Sequence, residues 1–375
     1  MIRQIHNMKN VTVSFEKAGV LYVGVEQKVP LHTLAPKDRI PKILLDGRKT
    51  DVIIIPKIRM LNYCNQENYG CSSHSIKRRP IVGGISYAPS NSGAATLGMF
   101  VKDSTDDTIV ALTCNHVIGP VLGEGSDAPT YYIADITTVD MVQPSPLDGG
   151  SSPIDSLGNG KRAVGTIFGP EGENLVDCAI SSLAGINLYT PGIEGLLKGG
   201  HFPFAEKYEY SVGNEVRKSG RTTGNSIGQI SSIAANVTAL LGEDTENNRA
   251  YYSGVIMITS STRFSAGGDS GSVVVCKIGG QWKIIGLLFA GSGDGLTTFV
   301  CHIADVAELL EVEAWDGRIY MPQTQTGIVL ANGLCYYDTE EVTSGLLTHT
   351  AERVFDDCEE CISDASAKTL FGNML

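Results

Sequence analysis

Short apolar runs rich in Val, Ile and Thr alternate along this chain with clusters of Gly, Pro, Asn, Asp and Ser. That texture is one of strands and turns rather than of long amphipathic helices. Within residues 11–29, Val20-Leu21-Tyr22-Val23-Gly24-Val25-Glu26 predicts one or two strands. A turn-rich stretch through Pro30, Pro36 and Pro41 follows, in which a helix is the alternative, and Asp51-Val52-Ile53-Ile54-Ile55-Pro56 reads as a short buried strand ended by proline. Thr96 to Val101 and Thr108 to Thr113 flank the polar Asp103-Ser104-Thr105-Asp106-Asp107 as two strands flank a hairpin turn. Further on, strands are expected around Gly228 to Ala234 and Gly254 to Thr259, and Val273 to Ile278 and Trp282 to Phe289 enclose Gly279-Gly280, a clear hairpin signal. Helical spacing is found at Ile303, Val306, Ala307 and Leu310, which predicts a short closing helix inside His302 to Val312.

These elements divide the chain into an N-terminal accessory segment (1–80), a first β half (81–190), a second β half with its helix (191–315) and an acidic C-terminal extension (316–375). Residues 183–210 read as the connection between halves. The two terminal pieces offer surfaces for self-association or partner contact. A net charge of -12 argues against nucleic acid, since phosphate binding needs concentrated Lys and Arg, and Lys77-Arg78-Arg79 is too short to change that. No apolar run reaches the length of a membrane span, and Met1-Ile2-Arg3-Gln4-Ile5-His6 lacks the apolar core of a secretory signal. Nine cysteines, an odd number, several of them inside apolar text, fit a reducing, cytoplasmic setting. Cys358-x-x-Cys361 lies among acidic residues without a second pair nearby, so neither a metal nor any other cofactor is expected.

The chemistry concentrates in Ala266-Gly267-Gly268-Asp269-Ser270-Gly271-Ser272, followed at once by Val273-Val274-Val275. Glycines on both sides of one serine make a tight turn that delivers the hydroxyl at the mouth of a strand, and free backbone N–H groups there can converge on an oxyanion. A glycine-rich surface turn is the plainer alternative. A serine needs a base to act as a nucleophile. His116, in Leu112-Thr113-Cys114-Asn115-His116-Val117, stands at the end of an apolar strand, and Asp177, in Leu175-Val176-Asp177-Cys178-Ala179-Ile180, is a lone acid inside another. Each alone has a structural explanation. Together they supply a proton acceptor active near neutral pH and a carboxylate to fix its tautomer.

The ordered set resembles the chymotrypsin/trypsin superfamily of serine peptidases, and Val216-Arg217-Lys218-Ser219-Gly220-Arg221-Thr222-Thr223-Gly224 is similar to a stretch of the bacterial alpha-lytic-like members. The resemblance spans about residues 81–315, with 61 residues from His116 to Asp177 and 93 from there to Ser270. It implies an all-β fold of two antiparallel six-stranded β-barrels, and an oxyanion hole formed by the N–H groups of Gly268 and Ser270. It implies a substrate-pairing strand at Phe289, Ala290 and Gly291, and Phe264 at the base of the primary pocket, which favours a small or medium apolar residue before the scissile bond. Arg79-Pro80-Ile81-Val82-Gly83-Gly84 resembles the activation site of digestive relatives, but Pro80 intervenes; the alpha-lytic likeness instead assigns the guanidinium of Arg221 to Asp269. The function expected is a serine endopeptidase acting on protein or peptide. A regulated or inactive binding module on the same fold, and an esterase, are the alternatives.

Overall fold

The computed structural model describes residues 2–8, 10–61, 73–118, 121–122, 132–183, 189–315 and 317, with three short strands at Ile328–Ala331, Leu334–Tyr337 and Arg353–Phe355. Cys358 and Cys361 lie outside the described residues.

The N-terminal segment opens with a short helix, α1 (Ile2–His6), and a hairpin of β1 (Val11–Lys17) and β2 (Val20–Val25) turning at Ala18 and Gly19, both at positive φ. β3 (Lys49–Ile54) and β4 (Ile58–Met60) complete it. β3 is an outer strand with β2 as its sheet partner and a single bridge from Lys49 to Ile43 on its other side, and it is half open to solvent, so the apolar run at 52–55 does not make a buried strand. Between β2 and β3 the prolines produce two single-turn 3₁₀ pieces, at Leu31–Thr33 and Pro36–Asp38, and no α-helix.

The first half begins with β5 (Ile81–Gly83), β6 (Ile85–Pro89), β7 (Ala95–Leu97), β8 (Met99–Asp103) and β9 (Ile109–Thr113). After the turn α2 (Asn115–Ile118) come β10 (Val121–Leu122), β11 (Ile133–Asp135), β12 (Asp140–Val142), β13 (Ser156–Val164), β14 (Thr166–Ile167) and β15 (Ala179–Ser181). β7 and β8 are one strand bent at Gly98. Counted so, the antiparallel order β6–β7/β8–β9–β15–β13–β12 returns to β6 and closes a six-stranded barrel. Ile85, Tyr87, Leu97, Met141 and Leu157 belong to its core. The connection to the second half carries structure of its own: β16 (Tyr189–Ile193) and β17 (Leu197–Lys198), with β16 parallel to β5.

The second half contains β18 (Glu215–Gly220), β19 (Gly224–Leu240), β20 (Arg249–Thr259), β21 (Val273–Ile278), β22 (Gln281–Ser292) and β23 (Thr297–His302). The order β18–β21–β22–β23–β20–β19 closes through β18–β19 into a second six-stranded barrel around Val216, Ile230, Ile258, Phe264 and Ile285. Gly279 and Gly280 both take positive φ, as the tight turn between β21 and β22 demands. β19 is far longer than its apolar stretch suggests. Three register breaks between Ile230 and Val237 bend it, so that its first part closes on β18 while its second part carries β1. A third apolar cluster lies between the barrels and includes Leu112 and Val176 from one, Val273 and Phe289 from the other, and Val13, Phe15, Ile58 and Met60 from the N-terminal segment. The predicted helix is present as α3 (Ile303–Leu310), and the chain then returns to the first barrel as β24 (Val312–Ala314) beside β8.

Candidate active site

β9 ends at Thr113 and the chain turns directly into α2, so His116 lies in a helical turn rather than on the strand itself. Asp177 likewise sits in the irregular residues just before β15. Because β9 and β15 are neighbours, with Thr113 opposite Ala179, their two ends meet. Asp177 Oδ2 lies 2.7 Å from His116 Nδ1, and its Oδ1 accepts the backbone N–H of His116 at 3.0 Å. Both side chains are buried. The two-point contact holds the ring with Nε2 directed away from the acid. The Tyr252 hydroxyl, from β20 of the second barrel, also donates to Asp177 Oδ2, at 3.4 Å. Burial pushes this phenol well above its ordinary range, which keeps it a neutral donor. Its sequence, Ala250-Tyr251-Tyr252-Ser253, carries no mark that separates it from a core tyrosine.

Ser270 is on the opposite side of the barrel boundary, in the turn before β21. Gly268 and Gly271 in this turn take φ of 93° and 92°. A Cβ on Gly268 would stand 2.5 Å from Thr222 Oγ1, and one on Gly271 would stand 2.2 Å from Thr96 O, so glycine is required at both by conformation and by space. The turn is tied to the histidine strand through a single acceptor. The carbonyl of Leu288 receives Gly271 N–H at 2.9 Å and the Cys114 thiol at 3.1 Å. The Ser270 hydroxyl donates to Phe289 O at 3.3 Å, while His116 Nε2 is buried and without a hydrogen-bond partner among the described residues. Proton transfer between the two requires the hydroxyl to rotate from Phe289 to the imidazole.

The partner assigned to Asp269 needs correction. Arg221 does not reach it. Arg221 Nε and Nη2 bind Asp148 of the first barrel at 2.7 and 2.5 Å, a pair bridging the two barrels. Asp269 instead faces Lys218 Nζ at 3.1 Å, and both side chains are fully buried. Its oxygens also accept the N–H groups of Thr222, Thr223 and Ala266 and the Thr223 hydroxyl. The reason is alternation: on β18, Lys218 points into the barrel beneath the serine turn, while Arg221, past the strand's end, turns outward across the boundary. Burial lowers the pKa of the lysine and the Asp269 carboxylate opposes that effect.

Phe264 is fully buried in the second-barrel core. Phe289, Ala290 and Gly291 form the last part of β22, and this edge is already occupied. β4 pairs with it antiparallel, with Met60 opposite Ala290 and Arg59 opposite Gly291. Leu61 N–H donates to Phe289 O at 3.1 Å, and Leu61 O accepts Gly268 N–H at 2.6 Å. Ser270 is consequently fully buried.

Cys114, His116 and Asp177 lie close enough together to suggest a metal site. The donor set does not suit one: burial pushes the Cys114 thiol well above its ordinary range, and as a thiol it donates to Leu288 O. The four described free cysteines, Cys114, Cys178, Cys276 and Cys301, are all buried.

No family model and no curated protein matches this chain. Among solved structures it is similar to Protease A of Thermobifida fusca (TM-score 0.42, 20% identity, 63% of this chain and 99% of that one). It is also similar to a Nocardiopsis protease (0.40, 18%, 62% and 98%) and to a chymotrypsin of Cellulomonas bogoriensis (0.40, 20%, 63% and 98%). Likeness this loose transfers no residue roles. The fold itself, two closed six-stranded barrels with the serine turn, histidine and aspartate at their boundary, is chymotrypsin-like by its own topology.

Proposed function

We propose that this chain is a serine endopeptidase. His116 takes the proton of Ser270 as the hydroxyl attacks a peptide carbonyl. Asp177, steadied by Tyr252, holds the imidazole in the required tautomer and stabilises it once charged. The N–H groups of Gly268 and Ser270 receive the oxyanion. An acyl-enzyme forms, and water releases it. The observation that carries this reading is the two-point lock of Asp177 on His116, at 2.7 and 3.0 Å, anchored through Leu288 O to the turn bearing Ser270. A peptide rather than a simple ester is favoured as substrate because the edge of β22 beside Ser270 pairs with an extended backbone, here that of β4. The apolar cluster that holds the Phe264 ring favours an apolar side chain before the scissile bond. The buried thiols are consistent with a reducing, cytoplasmic setting.

A fluorophosphonate probe followed by peptide mapping tests the assignment. Labelling is expected on Ser270 and on no residue of the Ser270→Ala chain. A Ser270→Ala chain that still reacts refutes it, as does failure to react both of the wild-type chain and of a Leu61→Asp chain in which the β22 edge is uncovered.

A further inference from the structure

The edge of β22 carries residues of the same chain in the geometry of a substrate. β4 runs antiparallel to β22, and the register continues one residue past it: Leu61 N–H to Phe289 O at 3.1 Å, then Leu61 O to Gly268 N–H at 2.6 Å. The carbonyl that meets the oxyanion donor is the one a nucleophile at Ser270 would attack. The Leu61 side chain is buried in the apolar cluster that holds Phe264, Ile258 and Val300. A Cβ on Gly291 would lie 3.3 Å from Leu61 Cδ1, so the glycine leaves the space that the leucine fills. Arg59 fixes the approach from outside, donating to Gly242 O at 2.7 Å, and Lys57 binds Asp244 at 2.5 Å.

We infer that the peptide bond on the carboxyl side of Leu61 is a self-processing site, and that residues 58–61 are both the first substrate of this active site and its inhibitor. The inference rests on the endopeptidase reading and extends it to a substrate class: chains with a leucine-sized apolar residue before the cut, presented as an extended strand. In the reaction Ser270 Oγ bonds to the Leu61 carbonyl carbon as its proton passes to His116 Nε2. The bond from that carbon to the nitrogen of Asn62 breaks, and the leaving amine takes the proton from His116. Water then adds to the ester, its proton passing through His116 to Ser270, and Leu61 is left with a free carboxylate facing Gly268 N–H. The cut does not by itself empty the cleft. Residues 1–61 remain attached through the β1–β19 pairing and through Arg3, which reaches Gly172 O at 2.7 Å and stacks on Tyr251 at 4.1 Å. The processed segment therefore persists as a bound product until it dissociates.

The test compares wild-type, Ser270→Ala and Leu61→Asp full-length chains by intact mass, N-terminal sequencing and fluorophosphonate labelling. A new N-terminus at Asn62 is expected in wild type, at a rate independent of chain concentration, and none in Ser270→Ala. Leu61→Asp is expected to stay whole and to label about tenfold faster or more, because a carboxylate cannot remain in the apolar pocket. A wild-type chain that labels at Ser270 yet stays whole or is cut elsewhere overturns the self-processing site while leaving the peptidase reading intact. A Leu61→Asp chain cut at the wild-type position overturns the pocket assignment. Absence of labelling in every chain sinks the peptidase reading itself.

Discussion

Asp269 is fully buried beside the nucleophile, and its charge must be balanced within the barrel. Lys218 supplies that balance at 3.1 Å, with three backbone N–H groups and a hydroxyl completing the shell. Removing one member of a buried pair leaves the other uncompensated, at a cost of about 3–5 kcal/mol. Lys218→Met is therefore expected to lower the melting temperature and to slow fluorophosphonate labelling of Ser270, because the turn that aims Gly268 N–H is hung on Asp269. Arg221→Met removes the contact to Asp148 across the barrels and is expected to reduce stability with a smaller loss of labelling. Equal labelling losses in the two variants would contradict this division. The sequence displays the serine, the histidine and the aspartate plainly, since each stands out against an apolar or glycine-rich setting. It does not separate Lys218 from Arg221, three residues apart, because the choice depends on which of them faces into the barrel. Tyr252 is equally hidden, since a tyrosine in an apolar strand looks the same whether or not a carboxylate lies at its tip.

At the scale of elements, the serine turn and the first barrel meet at the bend between β7 and β8. Thr96 N–H donates to Ser270 O at 2.8 Å, and a Cβ on Gly98 would fall 2.3 Å from Gly271 O. Neither backbone can retreat without moving the turn. Gly98→Ala is thus expected to cost about 1–3 kcal/mol in thermal stability and to lower the labelling rate of Ser270. A variant that melts and labels like wild type would mean that the bend has slack the packing does not suggest. Most strands and the β21–β22 hairpin are readable from alternation and turn residues. The misjudged elements share one cause. β3 is apolar in sequence yet half exposed at an outer position, and β19 runs well beyond its apolar stretch because pairing with β1 extends it. Both depend on neighbours distant along the chain.

For the molecule as a whole, the attachment of residues 1–61 decides whether the cleft is covered. His6 anchors that attachment, with Nε2 2.9 Å from Ser14 Oγ, Nδ1 3.0 Å from Thr238 Oγ1, and its ring against Tyr251. Burial, aided by the Arg3 charge, pushes its pKa down from 6.5 to about 3. A released segment binds a proton near its ordinary value while the docked one does not, so docking is full above about pH 6.5 and weakens as the pH falls from there toward 3. The loss is on the order of 2 kcal/mol by about pH 5, at ~1.4 kcal/mol per pH unit. In the Ser270→Ala chain, hydrogen exchange of residues 11–25 is expected to accelerate on acidification over this range, and His6→Gln should flatten the dependence. Acceleration of the same size in His6→Gln would assign the effect to other groups.

Alternation, turn residues and the isolated polar groups at Ser270, His116 and Asp177 are local properties, and from them the sequence by itself determined an all-β chain in two halves with its candidate chemistry at strand ends. The cation serving Asp269 and the occupant of the β22 edge were decided only by the tertiary structure. The physical reason is the same in both cases. A buried charge is neutralised by whichever group barrel closure brings within reach, and an open strand edge is covered by whichever extended segment can satisfy its hydrogen bonds, however far away in the chain that group or segment lies.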